Sequence, residues 1–295
     1  MITLGYLQKQ YLDNTRDDSA ENSQRGIDKI NAIQKMLCAS HNYHFLESLY
    51  TVPTVTGVGS FALPKDYRKM ITVSQTYGTR EWPINELPDP KAFNRLFYMS
   101  TVMSAFVAQY YHVRGKKLLI FPFCSTSTDS IKMFYLKAPV NMVQADYNEG
   151  LISVTNGGTT VTGTATLWAS NVVAGSYIII NDEAYLISVV TNDTSLTISE
   201  VFQGTTLTGY PYLIGDLPTI PEPFTDILWI GAAREYWALY KKDEVQAALL
   251  ADRFNEYEQR LKENTNAKTV EDFTSPRRAT IWNPNMYPTV TPALP

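Results

Sequence analysis

The sequence predicts an α+β fold: a helical core with long C-terminal helices and a small mixed sheet, an inserted all-β sandwich or barrel module, and an extended C-terminal arm. Three observations predict it. Amphipathic helical patterns stand near both ends of the chain, a Thr/Gly/Val-rich block with little charge separates them, and five prolines follow Ser275. The predicted domains are residues 1–150 with 215–265 for the core, 151–214 for the β module and 266–295 for the arm.

Two amphipathic helices are predicted at the amino terminus. Apolar residues recur there at steps of three and four, as on one buried helix face. They are Leu4, Leu7 and Tyr11 in the first helix and Ile27, Ile30, Ile33 and Leu37 in the second. The Asp, Asn and Ser residues between them are types that cap helices. The following "HNYHFLESLYTV" predicts a helix end that turns into a strand.

The next segment predicts a small mixed sheet with one helix. "SFALP" and the alternating "KMITVSQTYG" are typical of strands, and "PDPKAFNRLFYM" of a short helix with prolines at its start. "FVAQYYHVRGKKLLIFPFC" predicts a β-hairpin with "RGK" at its tip. We expect "DSIKMFYLKAP" to be a further strand that pairs with that hairpin.

The β block runs from about Leu151 to Ile214. Short runs of β-branched and aromatic residues alternate there with the turn signals "NGG", "AGS", "NDE" and "TND". This pattern is typical of a sandwich or barrel. We therefore predict an inserted β domain.

Long helices are predicted after a stiff stretch that contains Pro218, Pro221 and Pro223. A break is expected near Tyr240, with Asp243 capping the second helical piece. The apolar residues of the first piece are Ile227, Ile230, Tyr236 and Trp237, and those expected near one stripe of the second are Val245, Leu249, Phe254 and Leu261.

The C-terminal arm, residues 266–295, has no helical pattern. Apolar anchors on an extended segment predict strand addition or docking onto a neighbouring protein. The candidate binding residues of the arm are Arg277, Arg278, Ile281, Trp282, Met286 and Tyr287. A frayed terminus is the alternative.

Composition excludes several classes of protein. Lysine and arginine number 25 against 29 acidic residues, so the net charge of −4 does not fit a protein that wraps nucleic acid by charge. Cys38 and Cys124 give no disulfide framework and predict buried thiols in a reducing compartment. We find no signal-peptide pattern and no apolar run long enough for a membrane span. The 19 tyrosines favour protein contacts.

The sequence offers little catalytic chemistry. Cys38, His41 and His44 have helical spacing and could touch one metal ion, but zinc needs a further ligand and no second ligand pair follows. A core cysteine beside two histidines at a helix end is the favoured interpretation. There is no nucleophile elbow, P-loop or dinucleotide fingerprint. We expect no enzyme activity, no metal and no cofactor.

The sharpest charge feature is "RGKK", with Arg114, Lys116 and Lys117. These residues could meet DNA phosphates in a channel or an acidic partner. The simpler interpretation, which we favour, is a solvated hairpin tip.

The order of these segments resembles a known family. "GIDKINAIQKMLCAS…YHFLESLYTV", then "SFALPKDYRKMITVSQ", then "IPEPFTDILWIGAAREYWAL" is similar to the head-to-tail adaptor, or connector, proteins of tailed bacteriophages. The resemblance implies a structural virion protein at the neck, assembled in the host cytoplasm. It implies a ring, typically of twelve subunits, around the DNA exit channel, with the portal protein and tail nozzle or fibre proteins as partners. The arm would reach a neighbour or the portal.

Two other functions stay open. A tail nozzle or fibre-attachment protein would use the β module as its main interface. A cell-wall hydrolase would stack sugars on exposed Trp168 and Tyr185 and use an acid such as Asp66 or Glu81. For Trp168 and Tyr185 we favour places in the core or among surface aromatics.

Overall fold

The computed structural model describes residues 1–99, 104–105 and 107–264. Over this range the protein is mixed α/β, with six α-helices and two large sheets. The helices are α1 (Leu4–Thr15), α2 (Ala20–Ser40), α3 (Pro90–Met99), α4 (Trp168–Asn171), α5 (Asp226–Tyr236) and α6 (Glu244–Asn264). Residues 266–295, and with them all six candidate residues of the predicted arm, lie outside the described range.

The first two helices begin at side-chain caps. Thr3 Oγ1 accepts a hydrogen bond from the backbone N–H of Tyr6, and the hydroxyl of Ser19 accepts one from Asn22. These contacts satisfy N–H groups that have no partner within the first turn. The expected apolar faces of both helices point into the core, which confirms the periodicity argument.

The long C-terminal helical region is interrupted as predicted. Residues Trp237–Lys241 form a π-helical turn after α5, and Lys242 has a left-handed backbone with φ 53°. Asp243 Oδ1 then accepts hydrogen bonds from the backbone N–H groups of Val245 and Gln246, both 3.1 Å long. The chain therefore reverses here and α6 packs back along α5.

One core joins the ends of the described chain. It is built from α1, α2, α5, α6 and the segment that follows α2. Its members include Leu4, Leu7, Tyr11, Ile30, Ile33, Leu37, Cys38, Tyr43, Leu46, Ile227, Ile230, Tyr236, Leu250, Phe254 and Leu261. The expected stripe on α6 is wrong in its first half. Val245 and Leu249 are 77% and 53% exposed, because they lie at the turned end of the α5–α6 pair, and Leu250 takes the buried position instead.

The first sheet has seven strands in the order β1-β9-β3-β4-β6-β7-β2. Beside it, β5 and β8 form a two-stranded parallel pair. The strands of these two sheets are β1 (Glu47–Pro53), β2 (Ser60–Ala62), β3 (Tyr67–Tyr77), β4 (Arg80–Glu86), β5 (Ser104–Ala105), β6 (Tyr110–Arg114), β7 (Lys117–Phe121), β8 (Phe123–Cys124) and β9 (Ser130–Lys137).

One pairing in this sheet differs from the prediction. β6 and β7 form the expected hairpin, but β9 does not pair with it. β9 lies between β1 and β3 and runs antiparallel to both. The hairpin is joined to the sheet through a parallel pair of β4 and β6 instead. The long strand β3 supplies more pairing length for β9 than either strand of the hairpin does.

The second sheet also has seven strands, in the order β15-β10-β11-β14-β13-β12-β16. Its edge strands are separated by two residues, so the sheet curls until its two edges approach. Its strands are β10 (Leu151–Val154), β11 (Thr160–Thr164), β12 (Tyr177–Ile180), β13 (Glu183–Asn192), β14 (Ser195–Ile198), β15 (Leu207–Tyr210) and β16 (Leu213–Gly215).

The second sheet encloses a core of its own. Trp168 from α4 is fully buried in it, with a surrounding group that includes Ile152, Val154, Val161, Ile178, Ile180, Ile187, Leu196, Ile198, Phe202 and Ile214. The short runs between turn signals in the sequence thus correspond to paired strands.

Candidate assembly surfaces

The tip of the β6–β7 hairpin carries the basic group Arg114, Lys116 and Lys117, called here the basic tip. Gly115 turns the chain with φ 62°, a conformation that side-chain-bearing residues rarely adopt. All three basic residues are exposed, and none forms an ion pair with a described residue. The structure therefore presents three uncompensated positive charges on a short, ordered turn.

Lys65 is a further exposed cation on the segment that runs beside the basic tip, and the sequence analysis did not predict it. The backbone N–H of Leu63 donates to the carbonyl of Lys116 over 3.1 Å, so the chain after β2 runs beside the tip. Lys65 follows two residues later and is exposed. The signal was a lysine three residues after β2, but only the pairing of β2 with β7 brings the two segments together.

A group of hydrogen bonds ties the second sheet to the start of α1. Asp146 precedes this sheet, and its carboxylate accepts bonds from Thr3 Oγ1 at 2.7 Å and from the Gly5 backbone N–H at 3.2 Å. The carboxylate also lies at the N-terminus of α1, where the helix dipole favours negative charge. We call Thr3, Gly5, Asp146 and Asp216 the junction.

Asp216 completes the junction from the other connection of the second sheet. Its carbonyl accepts a bond from the Leu4 N–H at 2.9 Å. Its Oδ2 accepts bonds from the backbone N–H groups of Val143 at 2.5 Å and Gln144 at 2.8 Å. Both connections of the second sheet are thereby held against the same helix end, which fixes how the sheet projects from the helices.

The turned end of the α5–α6 pair exposes apolar side chains. Leu239, Tyr240, Val245 and Leu249 lie there with large exposed fractions. Tyr240 also lies under the Arg25 guanidinium, with 4.1 Å between the guanidinium carbon and the ring centroid. Exposed apolar side chains in one group are a feature of protein contact surfaces.

Polar contacts anchor this helical end to the last turn of α1 and to the loop that follows it. Tyr236 donates its hydroxyl proton to Asp17 at 2.8 Å, and the Trp237 indole donates to Asn14 at 3.1 Å. The bond from Tyr236 holds the pKa of Asp17 below its ordinary value, with help from bonds from Ser19. These hydrogen bonds therefore hold the helical end that carries the exposed apolar side chains in a fixed position.

The three residues considered as metal ligands, Cys38, His41 and His44, do not form a site. Burial raises the pKa of the Cys38 thiol to about 12, so it is a neutral core residue. His41 contacts the Ser40 hydroxyl, while His44 Nδ1 lies 2.8 Å from Glu47 Oε1. Within the part of the chain that the structure describes, no group of three potential ligands is close enough to hold a metal ion.

The residues considered for sugar binding and hydrolysis have structural contacts. Trp168 is buried, and its indole donates to the Tyr212 hydroxyl at 2.9 Å. Tyr185 is also buried. Hydrogen bonds from Ser74 and Lys132 lower the pKa of Glu81, the opposite of what a catalytic acid needs, and Asp66 accepts a bond from Tyr135. The hypothesis of exposed Trp168 and Tyr185 is therefore wrong.

Exposed apolar and charged surfaces of this kind are typical of proteins that bind other proteins. The sequence matches the SU10 adaptor protein family over residues 3–156, more than half of the chain. The chain belongs to this family of phage head-to-tail adaptors. No curated protein matches it.

The family match places the chain among structural proteins of the virion, which associate with other head and tail proteins. It covers α1, α2, the whole first sheet and β10. Among the described helices, none is long and apolar enough to cross a bilayer.

Proposed function

We propose that this protein forms a ring beneath the portal, around the DNA exit channel, and joins the capsid to the tail at the virion neck. The observation that carries the proposal is the adaptor-family match over residues 3–156. A ring subunit needs a rigid body with lateral surfaces, and the four long helices around one core supply such a body. Twelve subunits, assembled in the host cytoplasm, is the arrangement that the family resemblance implies. The role needs no catalysis, metal or cofactor.

Two surfaces have assigned roles in this proposal. The exposed apolar end of α5 and α6 meets a neighbouring subunit. The arm, through Arg277, Arg278, Ile281, Trp282, Met286 and Tyr287, binds the portal or a neighbour. Apolar anchors on an extended segment bind such surfaces by strand addition or by filling a groove.

The basic tip has the third role, a transient contact with DNA. Three exposed cations on one turn attract phosphates, while the net charge of −4 keeps the chain as a whole from gripping DNA. A channel that releases DNA requires such weak contact.

The second sheet is proposed to be an inserted module, residues 151–214, that contacts a tail component. Its own core and its two adjacent connections at the junction support this assignment. Under the alternative function, a tail nozzle or fibre-attachment protein, the same module would be the main interface.

The test is native mass spectrometry of the purified protein alone and with its portal protein. We expect either a ring or a monomer that joins the portal as a ring of fixed stoichiometry. A monomer that ignores the portal would contradict the adaptor ring. A variant lacking residues 151–214, checked for folding by circular dichroism, should still bind the portal; loss of portal binding by the folded variant would favour the nozzle alternative.

A further inference from the structure

β1 is an outer strand of the first sheet with one unpaired edge. It pairs with β9 over all seven residues without a register shift. On its other side, no strand of the described chain adds to it. Alternate residues of an outer strand direct their backbone N–H and C=O groups away from the sheet. β1 therefore offers a regular row of donors and acceptors to another extended segment.

This edge lacks the usual protection against strand pairing. β1 contains no lysine or arginine and no bulge, and its single proline, Pro53, is its last residue. Leu49 is 50% exposed and Tyr50 is 39% exposed. The opposite outer strand, β2, has only three residues and offers a much shorter template. An exposed, regular, apolar edge drives self-association unless something covers it.

The described chain ends near the segment that leads into β1. Leu261, in the last turn of α6, is fully buried in the same core as Tyr43 and Leu46, and Leu46 immediately precedes β1. Lys262 in that turn also acts on the pKa of nearby His41, which is lowered first by burial and then by this positive charge. The end of α6, after which the arm follows, therefore lies near the segment 41–46 that leads into β1.

One segment of the arm matches the β1 edge in length and charge. Residues 277–283, "RRATIWN", form a run of seven without proline between Pro276 and Pro284, equal to the seven residues of β1. The run has two arginines and no acid, whereas β1 has Glu47 and no base. The residues between Asn264 and this run span up to roughly 40 Å when extended, whereas β1 is about 24 Å long. The segment can therefore reach either end of the strand.

We propose that residues 277–283 of the same chain add to β1 as an eighth strand of the first sheet in the unassembled protein. Because the arm follows the end of α6, which lies near the segment that leads into β1, its effective concentration at β1 exceeds that of any other copy. The contact covers an edge that would otherwise pair with another molecule, and it stores the arm until assembly. This inference concerns the protein by itself and does not depend on the proposed ring.

The first test is hydrogen exchange of β1 in the full-length protein, with the Ile281→Pro variant. Proline removes a backbone N–H and is excluded from strand interiors, so it blocks strand addition without touching the folded core. We expect exchange in Glu47–Pro53 to become at least about tenfold faster, while β2 is unchanged. Lys268→Pro, in the arm but outside the segment, is the control and should leave β1 protected. Equal exchange of β1 in the wild type and both variants would overturn the proposal.

The second test identifies the chain that supplies the segment. Tyr50 and Thr280 are the central residues of the two seven-residue stretches, so they face each other whether the added strand is parallel or antiparallel. Isotopically heavy and light samples of the Tyr50→Cys/Thr280→Cys double variant are mixed and treated with a short bis-maleimide. The native Cys38 and Cys124 are buried, so they do not compete for the reagent. We expect crosslinked peptides within one chain. Mixed heavy–light crosslinks, or none, would contradict the proposal.

Discussion

At the scale of single residues, substitutions of Gly5 and Asp146 test how the second sheet is held to the helices. A Cβ on Gly5 would lie 2.3 Å from the Asp146 carboxyl carbon, far inside contact distance. We expect Gly5→Ala to destabilise the protein by about 1–3 kcal/mol, because it displaces Asp146 and breaks its bonds to Thr3 and Gly5. Chemical denaturation measures this change.

The double variant decides whether that steric explanation is right. In an Asp146→Ala background the obstacle is gone, and alanine is a better helix residue than glycine by about 1 kcal/mol. Gly5→Ala should then be neutral or stabilising. Asp252→Ala, at an exposed position on α6, is the control and should have an effect within about 0.5 kcal/mol. Additive effects of the two junction substitutions would refute the steric explanation.

Asp17 and Tyr236 make a pH-dependent contact. The hydrogen bond from Tyr236 lowers the pKa of Asp17 in the folded state. A carboxylate with a lowered folded-state pKa stabilises the protein above its unfolded pKa, and that contribution is lost as pH falls through the folded value. The wild type should therefore be more stable than Tyr236→Phe at neutral pH, and the two should converge below about pH 4. Thermal unfolding between pH 7 and pH 3 tests this; a constant difference would contradict it.

At the scale of elements, Leu249 and Leu250 are adjacent residues of α6 with opposite environments. Leu250 is 2% exposed within the helical core, while Leu249 faces outward. Leu250→Ala should cost about 2–5 kcal/mol, because it leaves a cavity. Leu249→Ala is the matched control and should change stability by less than about 0.5 kcal/mol. Urea denaturation of both variants measures the difference, and equal losses would contradict the assigned face of α6.

Helices and hairpins could be predicted because their signals are local. The apolar periods of α1 and α2 and the break at Asp243 need only neighbouring residues. Periodicity also shows which face of α6 is apolar, but it does not show how far α5 extends along that face. Val245 and Leu249 were therefore predicted to be buried, although they are exposed. The pairing of β9 with β1 and β3 depends on segments far apart in the chain, and several strands had compatible alternation.

The candidate surfaces also differ in whether the local sequence predicts them. The basic tip follows from four consecutive residues, so the sequence predicts it. The junction does not, since Thr3 and Asp146 are 143 positions apart and neither belongs to a recognisable motif. One signal could have indicated the junction: an acid lies near each boundary of the β block, Asp146 before it and Asp216 after it.

At the scale of the whole molecule, the basic tip should account for most of the DNA affinity of the chain. Each cation that neutralises a phosphate contributes about 0.9 to the slope of log affinity against log salt. The triple variant Arg114→Ser/Lys116→Ser/Lys117→Ser should therefore lose up to about three units of slope. Fluorescence anisotropy with a short duplex at low salt measures it. A control triple at exposed Lys9, Lys35 and Lys91 should keep the wild-type slope, and an equal loss there would point to net charge alone.

The packing of the first helix, α1, against the late helix α5 has a consequence for synthesis on the ribosome. α1 packs against α5, Leu4 bonds to Asp216, and Asn14 and Asp17 bond to Trp237 and Tyr236. The ribosome must synthesise more than two hundred further residues before α1 can contact these partners. Contacts this distant in sequence form late and slow the search for the native state. During translation the apolar face of α1 therefore stays without its final cover until α5 has emerged, and over that interval it is a surface that a chaperone can bind.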